Sequence, residues 1–482
     1  SSQFGKLFSY AVDGEIYADP LYVAGVKVPG PGTHNVVYVA TEPDSVYAFD
    51  ADGLTTTPLW HGNFTNPQQG ITAIPYQEIS PCNMLGPLVG ITSTPVIDPV
   101  SQTMYVVART KEVNGATTTY PQRLHALNLT TGAEKSGSPV LIQATVPGRG
   151  VGDNGQGQVA FDDLTDNNRA GLLLLNGVVY ITWASLCDQE PYHGWVIGYD
   201  AKTLQQSSVL NTSPNGAAAS IWASGAGVPA DADGNIYIQT SNGDFTADSG
   251  GDSYGDTMMK ISTTGSAPEV VDYFTPYDQQ RLEIEDHDLA SGGPLLLPDQ
   301  PTSPTHLAVG AGKEGGVYLV NRDNMGHFRP TDNNQAQQWL FNAVGFAGDH
   351  EAFFGMPAYW QNQVYFWGAN DVLKTFRLYN SLLSPAPVAV GSTKSAVQGP
   401  TPSISSNGNL QGILWGANFA VGSPAILRAY DAANVARELY NSTQAGTRDQ
   451  AGLSVEFTVP TVVNGKVYLA TQTELDVYGL LP

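Results

Sequence analysis

The stretch LLLLNGVVYITWA (172–184), followed after a short loop by GWVIGYDAKT (194–203), decides the reading of this chain. An apolar segment, an Asn-Gly turn, a strand rich in Val, Ile and Tyr, and a strand closing on Tyr-Asp form an antiparallel meander. The same order recurs along the sequence. Pro20-Leu21-Tyr22, VVYVAT (36–41) and SVYAFDADG (45–53) make a first copy, and TPVID (94–98), MYVVA (104–108) and LHALNLTTG (124–132) a second. The fourth is VPADADGNIYIQTS (228–241) with DTMMKIS (256–262), and the fifth GPLLLP (293–298), LAVGAG (307–312) and GVYLVNRDNMG (316–326). MPAYWQNQVYFWGAND (356–371) with TFRLYN (375–380) is the sixth, and TPSIS (401–405), ILWGAN (413–418) and LRAYDAAN (427–434) the seventh. The eighth, VPTVVNGKVYLAT (459–471) and ELDVYGLL (474–481), runs out after three strands.

Copy starts at 20, 95, 172, 229, 294, 357, 402 and 460 are 45 to 77 residues apart, the size of a four-stranded propeller blade with loops of varying length. KLFSYAV (6–12) precedes the first copy and belongs to no blade. Supplied to the eighth, it would complete that blade and remove two sheet edges. The expected fold is all-β: one eight-bladed β-propeller of four-stranded antiparallel blades over residues 1–482, its last blade closed by the N-terminal strand. Seven blades is the alternative, because the sixth and seventh copies are compact. Helical pattern is confined to residues 333–344 and 431–440, read as loop decoration.

Composition agrees. With 52 Gly and 32 Pro in 482 residues, turns are frequent, and only 13% of residues are charged, too few for the solvent faces of a helical protein. Lys and Arg number 21 against 44 Asp and Glu, a net charge of −23, which repels nucleic acid and anionic lipid. No apolar run is long enough to span a membrane. The chain starts at Ser1 and reads as a processed mature form, secreted or periplasmic and monomeric. Sequons at Asn63, Asn128, Asn211 and Asn441 would suit a secreted glycoprotein, although such triplets also arise by chance. The two cysteines, Cys82 and Cys187, most simply form one disulfide in an exported protein; two buried thiols are the alternative.

The chemistry-bearing residues cluster in copies three to five. SIWASG (220–225) precedes a strand ending in TSNGDF (240–245), and EDHDLASGGPLLL (285–297) leads into GAGKEGGVYLVNRDNMG (310–326). This pattern resembles the quinoprotein alcohol dehydrogenases, eight-bladed propellers that hold pyrroloquinoline quinone (PQQ) and Ca²⁺ on the axis. The resemblance implies Trp222 as the floor under a quinone, Asn242 as a Ca²⁺ ligand, and Asp286 or Asp288 as catalytic base with Asp286 beside the metal. It further implies Lys313 as the cation at a quinone carbonyl. The intervals of 20, 44 and 27 residues from Trp222 through Asn242 and Asp286 to Lys313 suit the family. EPYHGWVIGYDAKT (190–203) resembles the family segment that carries another Ca²⁺ ligand, which puts Glu190 (or Gln189 in strict register) there and His193 in place of an Arg. The departures are an absent pair of adjacent cysteines, Glu285 where the family has Trp, and no evident Arg for the PQQ carboxylates.

Each residue also has a structural role open to it: Trp222 as channel wall, Asn242 in an S-N-G-D turn, the aspartates as solvated loop charge, His193 as a core imidazole. Three functions follow. One is a PQQ- and Ca²⁺-type oxidoreductase acting on an alcohol or sugar hydroxyl. Another is a cofactor-free lyase or hydrolase on an extracellular glycan or glycoside, using His193, Asp286, Asp288, His287 or His350 with Lys313 or Arg448. The last is a non-catalytic scaffold. In each, a small-molecule or carbohydrate ligand is expected in the axial channel.

Overall fold

The computed structural model describes residues 3–30, 32–79, 82, 85–265, 267–345 and 351–482. It is nearly all β and propeller-like. Among the described residues there are eight sheets of four or five strands and three smaller ones. The first large sheet runs Leu21–Val28, Gly32–Ala40, Ser45–Asp50 and Trp60–Asn63 in chain order. The terminal sheet is ordered Phe4–Ala11, Glu474–Leu480, Lys466–Ala470, Thr461–Val463, so the N-terminal strand is its outer member. Phe4–Ala11 pairs antiparallel with Glu474–Leu480 across one irregularity between Lys6 and Phe8. Lys6 Nζ lies 2.6 Å from Asp476 and 3.3 Å from Glu474, which ties the two ends electrostatically as well.

Packing follows from strands buried on both faces. Successive side chains of a strand point to opposite faces, so a strand inside a stack of sheets is apolar throughout. In Thr103–Arg109, Met104 and Val106 pack on Val36 and Tyr38 of the first sheet, while Tyr105 and Val107 pack on Val179 and Ile181 of the third. Equivalent clusters join the third sheet to the fourth, the fourth to the fifth, the fifth to the sixth and the sixth to the seventh. Trp415 and Leu427 of the seventh pack on Val467 and Leu469 of the terminal sheet. Tyr10, Val477 and Tyr468 of the terminal sheet in turn meet Val37, Val39 and Phe49 of the first.

Two features differ from the sequence reading. Neither 333–344 nor 431–440 is helical: short strands, Gln338–Leu340 and Glu438–Asn441, occupy the ends of these stretches and pair as outer strands. The α-helix found among the described residues is Gln279–Glu285, in the loop that carries Asp286 and Asp288. The fourth sheet also takes its outer strand, His327–Phe328, from beyond the central strands of the fifth, and pairs it parallel to Glu269–Thr275.

Candidate functional site

A cavity of about 270 Å³ is lined by Trp222, Asp286, Asp288 and Lys313, four of the residues expected at the site. Cys82 and Cys187 form a disulfide, with Cα atoms 6.1 Å apart, and both cysteines also line this cavity. Asp188, Ser224, Ser291, Glu351, Phe354, Gln398 and Phe457 complete the wall.

The loops build the site by backbone conformation. Six lining residues, Cys187, Asp188, Ser224, Asp286, Gln398 and Phe457, have φ between 40° and 73°, where residues with a β-carbon are uncommon. Each such residue costs on the order of 1–3 kcal/mol, and clustered strain of this kind points to function. Asp286 is an example. It follows Gln279–Glu285 as a left-handed cap whose N–H bonds to Leu282 O, and this reversal turns its carboxylate back toward Lys313. Trp222 enters the turn Ala223–Gly225, which is fastened by the bond from Ser224 Oγ to Ser291 O at 2.6 Å.

The charges form one network. Lys313 Nζ is 2.6 Å from Asp288 Oδ2 and 3.0 Å from Asp286 Oδ2, and its backbone N–H donates to Asp288 O at 3.0 Å. Asn242 donates through its backbone N to Asp288 Oδ1 at 3.3 Å and through Nδ2 to Asp286 Oδ1 at 3.4 Å. Burial opposes the charge on Lys313, but Asp288 and Asp286 outweigh it and hold the ammonium above its usual pKa. Burial, then the charge of Asp288, pushes the Asp286 carboxyl up; Lys313 opposes the shift. Asp188 is raised in the same way, by burial and then by Asp288 and Asp286. Behind them Asp256 is fully buried, with Oδ1 accepting from Leu289 N at 3.1 Å and Oδ2 without a partner.

A second layer holds the two loops together. Arg281 Nη2 reaches Glu314 Oε1 at 2.7 Å, and its Nη1 reaches Glu285 Oε2 at 2.9 Å. Glu314, next to Lys313, also accepts from the Tyr318 hydroxyl at 2.7 Å.

Other expected residues lie elsewhere. His193 is 2% exposed, with Nδ1 2.8 Å from Ser213 Oγ and Nε2 2.9 Å from Val151 O, and it does not line the cavity. Its imidazole packs edge-on against Trp195 and acts as core, because both ring nitrogens have partners and burial lowers its pKa. The structure thus places His193 in the core, apart from the cavity where the other expected residues meet. Glu190 is exposed and does not line the cavity; Asp188, two residues earlier, does. The left-handed pair Cys187-Asp188 turns the chain, so the carboxylate nearest the site comes from a different register than the sequence match implied. His287 is buried beside Glu285 and Arg281, away from the cavity wall. Arg448 pairs with Asp449 near the N-terminal strand. His350 lies outside the described residues.

One basic residue escaped the sequence reading. Arg169, 1% exposed, lies with its guanidinium carbon 5.4 Å from the Phe457 ring and 5.8 Å from the Tyr17 ring. Its Nη1 and Nη2 have no hydrogen-bond partner. Gly225 has φ 85°, and a β-carbon there would come within 2.9 and 3.0 Å of these nitrogens, so glycine is favoured where the Trp222 turn passes the arginine. The signal was present in NNRAGLLLL (167–175), an Arg set against a buried strand in a chain poor in basic residues.

No protein-family model and no curated protein matches the chain. Solved structures do. A quinohemoprotein alcohol dehydrogenase, ADHIIG from Pseudomonas putida HK5, superposes with a TM-score of 0.60 at 13% identity, over 99% of this chain and 76% of that one. A europium-containing methanol dehydrogenase gives 0.54 at 13% identity, over 99% and 93%. BamB from Moraxella catarrhalis gives 0.50 at 10% identity, over 99% and 100%. At these identities the likeness is one of fold alone, a propeller fold shared with these proteins.

Proposed function

We propose that residues 1–482 form one closed eight-bladed propeller that works, after export, as a monomeric PQQ- and Ca²⁺-type oxidoreductase on an alcohol or sugar hydroxyl. The eight large sheets and the cluster joining the terminal sheet to the first support the ring. The observation that carries the reaction is the meeting of Trp222, Asp286, Asp288 and Lys313 in one cavity beside the Cys82–Cys187 disulfide.

The chemistry of the wall fits such a group. Among the described residues, Asp188, Asp286, Asp288 and Glu351 line the wall with one lysine, an excess of negative charge that a divalent cation would offset. Ca²⁺ takes oxygen donors, and Asn242 Oδ1 is buried without a partner next to Asp286 and Asp288. Among the described residues no three His, Cys, Asp or Glu side chains form a ready cage, so the cation would be held by Asn242, Asp286 and Asp188 together with the organic group. Trp222, Phe354 and Phe457 supply aromatic surface for a flat ring system, and Arg169, one layer behind Phe457, has Nη1 and Nη2 without hydrogen-bond partners and suits a carboxylate.

When bound, PQQ with Ca²⁺ supplies a polarised carbonyl that accepts the hydride. The chain's own residues do the rest. Asp286, oriented by Lys313 at 3.0 Å, is the carboxylate suited to take the hydroxyl proton. Lys313 keeps a fixed positive charge where the reduced acceptor becomes negative, and Asp288 fixes that ammonium at 2.6 Å. Phe354 and Phe457 restrict water. Reconstitution with PQQ and Ca²⁺, followed by dye-linked oxidation of a panel of alcohols and sugars, tests the proposal. Turnover that needs both additions supports it; a protein that binds the quinone with no turnover on any hydroxyl counts against it.

A further inference from the structure

A second cavity, of about 320 Å³, lies one side-chain layer from the first. Three links define that layer. Glu456 lines the second cavity and its neighbour Phe457 the first, the chain turning between them through the left-handed Phe457. Gln398, in the wall of the first cavity, lies near enough to the Glu456 carboxyl to lower its pKa. Arg169 is stacked between Phe457 of the first cavity and Tyr17 of the second.

The lining selects a ligand class. Tyr17, Tyr76 and Phe419 give aromatic surface, and Glu15 and Glu456 give carboxyls. Two glutamines and a serine add neutral donors and acceptors, and no Lys, Arg or His lines the wall among the described residues. An anion would meet the carboxyls unpaired. A purely apolar ligand would bury them without partners, at a cost of several kcal/mol. A sugar ring has what the wall lacks: a C–H face for the aromatic rings and hydroxyls for the carboxyl and amide groups.

We propose that this second cavity is a binding site for a neutral saccharide, separate from the Lys313 cavity and independent of the proposed oxidoreductase reading. Burial pushes Glu456 up to about 7, so near neutrality its carboxyl both donates and accepts hydrogen bonds to hydroxyls.

Saturation-transfer NMR on the full chain, with cellobiose, maltose and lactose as neutral probes and choline as a cationic one, tests this. Transfer to at least one disaccharide is expected, with affinity lowered tenfold or more by Tyr76→Ala and by Phe419→Ala and unchanged by Lys313→Ala. Two aromatic variants are used because either alone could disturb the loop, and circular dichroism identifies a variant that fails to fold. No transfer to any disaccharide, affinity indifferent to both aromatic variants, or preferential binding of choline would each overturn the subsite. A parallel PQQ titration separates the two claims. Saccharide binding without quinone binding leaves the subsite standing and removes the redox reading, whereas quinone binding without saccharide binding does the reverse.

Discussion

Lys313 and Asp288 are joined twice, by the 2.6 Å contact between ammonium and carboxylate and by the 3.0 Å bond from the Lys313 N–H to the Asp288 carbonyl. The double link means that the side chains cannot separate without the two loops moving. It also fixes where the ammonium lies relative to Asp286.

Replacing Lys313 by Ala leaves Asp286 and Asp288 facing each other without a counter-charge. Turnover after reconstitution should fall by at least a hundredfold. Loss of charge-assisted hydrogen bonds should cost about 1.5–3 kcal/mol of stability, read from urea unfolding. Lys313→Arg, which keeps the charge with a broader head group, should recover the stability more fully than the activity.

Arg281 acts on the site through Glu314 and Glu285. Its ion pairs are partly exposed, so Arg281→Gln should change unfolding free energy by no more than about 1 kcal/mol. The same variant loosens the helix Gln279–Glu285 that presents Asp286, and should shift the acidic limb of the pH–activity profile while Arg281→Lys restores part of it. An unchanged pH profile in Arg281→Gln would remove its positioning role.

Stability should depend on pH in an unusual direction. Burial raises Asp19, Glu42, Glu456 and Asp476 each to about 7 in the folded protein. Between the unfolded carboxylate pKa, about 4, and 7 the folded state therefore binds more protons than the unfolded one, and stability falls as pH rises. Carboxyls with lowered pKa, such as Asp52 and Asp449, act oppositely and lose their contribution only as pH falls below about 4. His193, lowered by burial, opposes the trend below its unfolded value. Four acids outweigh one imidazole, so the melting temperature at pH 5 should exceed that at pH 8. The reverse order in calorimetry would contradict these shifts.

The Cys82–Cys187 bridge spans a sequence separation of 105 residues and borders the cavity. Loop-closure entropy for such a span is worth about 4–5 kcal/mol at most, and native disulfides typically give about 2–4. Thermal melts of Cys82→Ser with Cys187→Ser should show this loss, together with weaker ligand binding in the cavity.

The repeats were legible because a strand buried on both faces leaves a continuous Val, Ile and Tyr run, and Asn-Gly or Asp-Gly turns delimit it. The pairing of Phe4–Ala11 with Glu474–Leu480 was legible from strand count alone. Asp286, Asp288, Lys313 and Trp222 could be placed together because they sit at strand ends of neighbouring repeats. Asp188 could not, since its position depends on left-handed backbone at Cys187 and Asp188. Arg169 was hidden for a different reason: its stacking between Tyr17 and Phe457 joins segments far apart in the chain. His193 shows the opposite case, a polar residue in a motif-like stretch that the fold holds in its core with both ring nitrogens paired.

Titration of the full chain with PQQ in the presence of Ca²⁺, followed by quinone absorption and Trp fluorescence, tests the central claim most directly. Saturable binding of one quinone per chain is expected, lost on Ca²⁺ chelation and weakened at least tenfold by Lys313→Ala and by Arg169→Gln. No saturable binding, or binding indifferent to Ca²⁺ and to both variants, would contradict the assignment of this cavity.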